Sequence, residues 1–140
     1  MIGWFLAPFV GHFGLVVGLF AWLSVLRIVA VRGGRMKLRD YVRANADQGL
    51  AQRVQRNLSN QFEAPVFAYV AMLIILGQQA VTVWDVMAVW VFLVGRILHT
   101  GVQTLTDNVL LRGAVFSINF GGIMMLIVHV AWLVLMRDLQ

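Results

Sequence analysis

The chain has 140 residues, 61% of them hydrophobic and 12% charged, with a mean hydropathy of +0.83, a net charge of +5 and a pI near 11.1. Soluble domains carry about 25% charged residues, so this composition excludes one and points to an integral membrane protein. The absence of cysteine excludes disulfides, thiolate metal sites and a cysteine nucleophile.

The first span is the uncharged stretch Met1–Leu26, which exceeds the ~20 apolar residues needed to cross a bilayer. It has no basic leader and is longer than the ~7–15 apolar residues of a cleavable signal, so it is expected to stay in the protein. Gly11, Gly14 and Gly18 on this span, like Gly121 and Gly122 later, suit close helix contact. The general abundance of glycine in membrane helices accounts for them equally well. Gly33-Gly34 is expected to end the helix and open the one sizeable polar segment, Gly33–Asp47.

The basic residues Arg32, Arg35, Lys37, Arg39, Arg43, Arg53 and Arg56 all lie at or between the first two spans. That distribution is what a cytoplasmic loop facing anionic headgroups produces. Nucleic acid is not expected as a partner, because Tyr41 is the loop's single aromatic and no binding module is recognisable. With this loop inside, both termini are expected outside.

The second span, Ala64–Trp84, is preceded by Arg53, Arg56, Asn60 and Glu63, whose spacings of three and four put them on one helix face. Pro65 is expected to loosen the backbone there and free carbonyls near these polar groups. A third span from Val86 to about Thr106 carries Arg96, His99 and Gln103 at the same spacing. A charge in mid-membrane costs ~2.5–3.5 kcal/mol, so these residues should face protein or a wet pocket rather than lipid. Glu63 and Arg96 fall at comparable depth and are expected to pair, most simply as a structural salt bridge. The fourth span is Gly113–Met136, reached through a short turn around Thr106–Arg112. His12 and His129 are expected to make interhelical hydrogen bonds, and no metal site is expected from three scattered histidines. The tryptophans are read as interfacial anchors or packing.

Short connections make neighbouring helices antiparallel, so the 140 residues are expected to form one transmembrane domain, an all-α up-down four-helix bundle. Asn60, His99 and Gln103 offer more hydrogen-bonding capacity than one ion pair uses. With Arg53, Arg56 and Arg112 near the basic mouth, positive charge is in excess and an anionic ligand is its complement. Snorkelling to headgroups explains any one of these arginines alone; the ligand reading rests on their convergence.

The segment Arg53-Val-Gln-Arg56-Asn-Leu-Ser-Asn60-Gln-Phe-Glu63-Ala-Pro65-Val-Phe67 resembles the signature of the MAPEG family, membrane-associated proteins in eicosanoid and glutathione metabolism. Phe92-Leu-Val-Gly95-Arg96-Ile-Leu-His99-Thr100 is similar to the family's third-helix motif, and Arg27–Arg32 to the basic end of its first helix. The resemblance implies a homotrimer with glutathione bound between subunits near the cytoplasmic face. Arg56, Asn60 and Glu63 would hold the glutathione backbone, Arg27 or Arg32 and His99 would complete the cradle, and Arg53, Arg96 and Gln103 would belong to the same binding set. Arg112 falls where the family places its thiol-facing arginine and would be the catalytic residue. A thiol of pKa ~8.5 is only a few per cent ionised at pH 7, and a cation that lowers it by ~2 makes the thiolate the major form.

The implied activity is that of a glutathione transferase or peroxidase acting on lipophilic electrophiles that arrive through the membrane lipid. The eicosanoid branches carry tyrosines where this chain has Gln103 and Phe116, and the Asn-Gln-Phe-Glu-x-Pro wording resembles bacterial branches, which implies a bacterial inner membrane. The alternative is a catalytically silent scaffold or lipophile-binding accessory protein of the same fold. A small proton-coupled multidrug transporter built on Glu63 is disfavoured by the crowding of that carboxylate by Arg56 and Arg96.

Overall fold

The computed structural model describes residues 1–43 and 46–137; the predicted outer C-terminus, residues 138–140, lies outside them. Helix α1 runs Ile2–Arg32, α2 Gly49–Asn60, α3 Ala64–Gly77, α4 Val83–Leu105 and α5 Val109–Arg137, with a 3₁₀ turn at Leu38–Val42. Among the described residues, four stretches are long and apolar enough to cross a membrane: Ile2–Arg32, Gly49–Gly77, Val83–Leu105 and Val109–Met136. The chain is therefore all-helical among the described residues, with α2 and α3 together making one span.

Local chemistry sets each boundary. Helix α1 stops where Gly34 takes a left-handed φ of +69°, which lets the amides of Gly33, Gly34 and Arg35 close back on Val29, Val31 and Ala30 carbonyls. Thr82 and Asp85 cap α4 reciprocally. Asn108 starts α5 by accepting from the Leu111 amide at 2.9 Å. The last turn is thus shorter than the sequence suggests, and Arg112 sits on the first turn of α5 rather than in the loop.

The second span is broken at Gln61–Glu63, just ahead of Pro65. Proline has no amide hydrogen and its ring clashes with the carbonyl four residues back, here Gln61, so the ladder ends at Asn60 and restarts at Ala64 with Pro65 in its first turn. This break decides the geometry of the polar centre.

Helix α4 is the axis of the bundle, with about half of its most apolar window buried and contacts to α1, α2 and α5. An apolar cluster formed by Phe5, Ile75, Phe92 and Leu126 with their neighbours fills the end that carries the N-terminus. A second cluster packs Val16, Leu19 and Leu23 of α1 on Val54 and Leu58 of α2 toward the basic end. Between them lies a buried polar layer containing His12, Asn57, Gln61 and Arg96. Large apolar side chains such as Phe13 and Leu73 face outward, as surfaces against lipid or other subunits do.

Close approach of α4 and α5 requires glycine twice. A Cβ on Gly95 would fall 2.6 Å from the Asn119 backbone nitrogen, and one on Gly122 would fall 2.6 Å from the Ala88 carbonyl oxygen. Gly14, Gly18 and Gly121 face open space, and Gly11 meets only the flexible Leu93 side chain. Gly122→Ala is accordingly expected to destabilise the folded protein by about 1–3 kcal/mol through overpacking against backbone. Gly121→Ala should be neutral by the same denaturation measurement in detergent, and equal losses at both positions would refute the close-approach assignment.

Candidate functional site

At the basic end, α2, the break after it, α4 and α5 form an open cavity of about 510 Å³ lined by Gln55, Arg56, Ser59, Asn60, Glu63, His99, Gln103 and Arg112. Six of the residues singled out from the sequence therefore meet in one place: Arg56, Asn60, Glu63, His99, Gln103 and Arg112. Asn60 Nδ2 donates to Gln103 Oε1 at 3.1 Å, joining α2 to α4 across the floor. His99 is held edge-on by Phe116, their ring centroids 5.9 Å apart, and its buried Nδ1 has no partner among the described residues. Arg56, Glu63 and Arg112 form no ion pair among the described residues. Two guanidinium groups and one carboxylate thus face the same space with their hydrogen-bonding capacity uncommitted.

The remaining arginines of the predicted set lie elsewhere. Arg27 grips Asp47 with two hydrogen bonds, Nε to Oδ1 at 3.0 Å and Nη2 to Oδ2 at 2.5 Å, and stacks over Tyr41. This fork folds the basic loop back on α1. Exposed Arg32 shares a separate recess with Arg27 and Tyr41. Arg53 pairs with Asp107 at 2.7 Å, tying α2 to the α4–α5 turn.

Arg96 is fully buried and does not pair with Glu63. Its Nε and Nη2 donate to Gln61 Oε1 at 2.9 and 2.7 Å, and Nη2 also donates to the Asn60 carbonyl at 2.5 Å. That carbonyl is available because the helix ends there. The expected Glu63–Arg96 salt bridge assumed one helix continuing through residue 63. Because the ladder stops three residues earlier, Gln61 turns inward and Glu63 is left exposed toward the cavity.

Gln61 is the residue that sequence periodicity missed. Its Oε1 also lies 2.8 Å from His12 Nε2, and its Nε2 donates to Asn57 Oδ1 at 3.0 Å. Since Oε1 can only accept, His12 Nε2 carries the hydrogen, and in the neutral ring Nδ1 accepts from the Tyr69 hydroxyl. A buried chain Tyr69, His12, Gln61, Arg96 therefore links α1, α3, the break and α4 behind the cavity. The other outlying histidine, His129, bonds Asp85 Oδ1 through Nδ1 at 2.8 Å. Both histidines make the interhelical contacts expected of them.

The cavity presents two guanidinium groups, Arg56 and Arg112, and one carboxylate, Glu63, so its charges complement a small ligand that carries both anionic groups and an ammonium. The His99 ring and the side chains of Asn60 and Gln103 supply further polar groups at its wall. A family model described as MAPEG family matches residues 5–132 of the chain. No match was found among curated proteins or among solved structures.

Proposed function

The chain belongs to the MAPEG family, and on that premise we propose that it is a glutathione-dependent transferase or peroxidase acting on lipophilic electrophiles within the membrane. The observation that carries this reading is the convergence of Arg56, Asn60, Glu63, His99, Gln103 and Arg112 on one cavity at the basic end. Glutathione would bring the thiol that this cysteine-free chain lacks. Arg56, with Asn60 and His99, would fix the carboxylates, and Glu63 the ammonium. Arg112, mounted on the first turn of α5, would place its cation at the sulfur and favour the ionised form. The surrounding helices would exclude bulk water and leave lateral access from lipid.

The same reading makes the functional unit a homotrimer, in which Arg32 of a neighbouring subunit could complete the cradle, since Arg27 is already committed to Asp47. It places the basic loop in the cytoplasm and the termini outside, in a bacterial inner membrane. A cysteine introduced at Gly34 should be labelled from the cytoplasmic side alone; labelling from outside would overturn the orientation.

The test of the function is thermal stabilisation of the detergent-purified protein. Glutathione at 100 times its Kd should add about 2.7 kcal/mol of stability, whereas a glycerophosphate headgroup at equal concentration should not. Equal stabilisation by both, with no turnover of a chlorinated aromatic or an organic hydroperoxide, would favour the silent scaffold or lipophile-binding accessory protein. One feature supports that second reading. Gln103 is tied to Asn60 and Phe116 packs on His99, so neither brings an acidic hydroxyl to the cavity.

A further inference from the structure

The opposite end of the bundle carries a second cluster of chemistry that the glutathione reading does not use. Asp85 Oδ2 accepts from the Thr82 amide at 2.7 Å and the Thr82 hydroxyl at 2.6 Å, which caps α4. The other carboxylate oxygen reaches across to α5 and meets His129 Nδ1 at 2.8 Å. Asp85 is 2% exposed, so this is a built and desolvated contact. Because the carboxylate is an acceptor toward both Thr82 donors, Nδ1 carries the hydrogen of the pair. The lone pair of the neutral imidazole then lies on Nε2, which has no partner among the described residues and is not among their buried orphan atoms.

This imidazole lines a groove of about 630 Å³ between α4 and α5, walled by Trp84, Trp132, Met124, Met125 and Val128. The volume falls in the ~300–1,000 Å³ range of small-molecule sites, and an apolar lining with very few oriented polar groups is their usual composition. Asp85 and His99 stand about 21 Å apart along α4 at the ~1.5 Å helical rise, so the groove is separate from the basic-end cavity.

We propose that this groove binds a lipophilic phenol, whose hydroxyl donates to His129 Nε2 while its ring lies between Trp84 and Trp132. Three features select that class. An acceptor nitrogen calls for a hydroxyl donor, and a phenol is a stronger donor than an aliphatic alcohol. Aromatic and thioether walls suit a flat ring. The ligand is neutral, because an anion would face the Asp85 carboxylate and a cation would find both of its oxygens already taken by Thr82 and His129. The proposal stands independently of glutathione binding.

The test uses a brominated alkylphenol and its methyl ether, both read by quenching of tryptophan fluorescence in detergent-purified protein. The phenol should bind about tenfold more tightly than the ether, the worth of one hydrogen bond, and His129→Phe should abolish that difference. Gly121→Leu provides a second variant that leaves the pair untouched. Gly121 lines the groove and a Cβ there meets nothing within 4 Å, so the leucine fills the space from its floor. It should weaken both ligands about tenfold or more with unchanged thermal stability. Equal affinity of phenol and ether in the wild type would reduce the effect to partitioning and overturn the proposal. Quenching that survives Gly121→Leu, or no binding because a second copy covers the groove, would overturn it as well.

Discussion

Arg112→Ala is expected to lower turnover by about 10²–10³-fold while leaving glutathione affinity close to that of the wild type, the loss typical of removing one preorganised electrostatic group. Arg112 projects from the first turn of α5, whose start is fixed by the Asn108 cap, and it lines the cavity from a different helix than Arg56 and Asn60. On the proposed reading, a group so placed would act on charge that develops at the sulfur rather than on the carboxylates. Arg56→Ala should do the reverse, raising the glutathione Kd with a smaller effect on kcat. Calorimetric binding and steady-state kinetics on a chlorinated aromatic and an organic hydroperoxide separate the two. Parallel losses of affinity in both variants would remove Arg112 from the catalytic role and make it one more carboxylate ligand.

Much of this site was legible because its chemistry conflicts with its surroundings. Arg56, Asn60, Glu63, His99 and Gln103 stand out in apolar stretches, and three-or-four spacing carries them to one side of their helices. Helices α2 and α4 are adjacent and antiparallel, so the two polar faces had little choice but to meet. The spans themselves followed from length and hydropathy, and the break from Pro65.

Periodicity failed where the helix itself failed. It groups Glu63 with Asn60 and ignores Gln61, but a chain that leaves the helix after Asn60 no longer follows 100° per residue. Gln61 consequently becomes buried and Glu63 exposed. The ion pairs of the arginines in the first two spans were hidden for another reason. Asp47 and Asp107 lie in connections, where sequence spacing says nothing about what they reach, and they engage Arg27 and Arg53. Asp85 falls in the gap between the second and third spans read from hydropathy, although a carboxylate three residues after Thr82 is a cap signal that marks the start of α4.

The buried centre yields the second large effect. Arg96 keeps its charge at 0% exposure with carbonyl oxygens as its hydrogen-bond partners, and Gln61 Oε1 supplies two of its three bonds. Gln61→Leu should therefore destabilise the protein by about 3–5 kcal/mol, because it strands a buried cation and also removes the acceptor of His12. Arg96→Leu should cost less, about 1–3 kcal/mol, since it strands neutral groups. In the double variant no buried cation is left, so its cost should fall below the sum by about 0.5–3 kcal/mol. Glu63→Gln combined with Arg96→Leu should instead be additive, as Glu63 faces the cavity and touches neither partner. Equilibrium denaturation in detergent measures all five variants. Strong coupling of Arg96 to Glu63 with none to Gln61 would restore the salt bridge expected from sequence and discard the network described here. If the pattern holds, the break before Pro65 is what allows an arginine to lie in the membrane without a carboxylate, by turning both the Asn60 carbonyl and the Gln61 amide toward it.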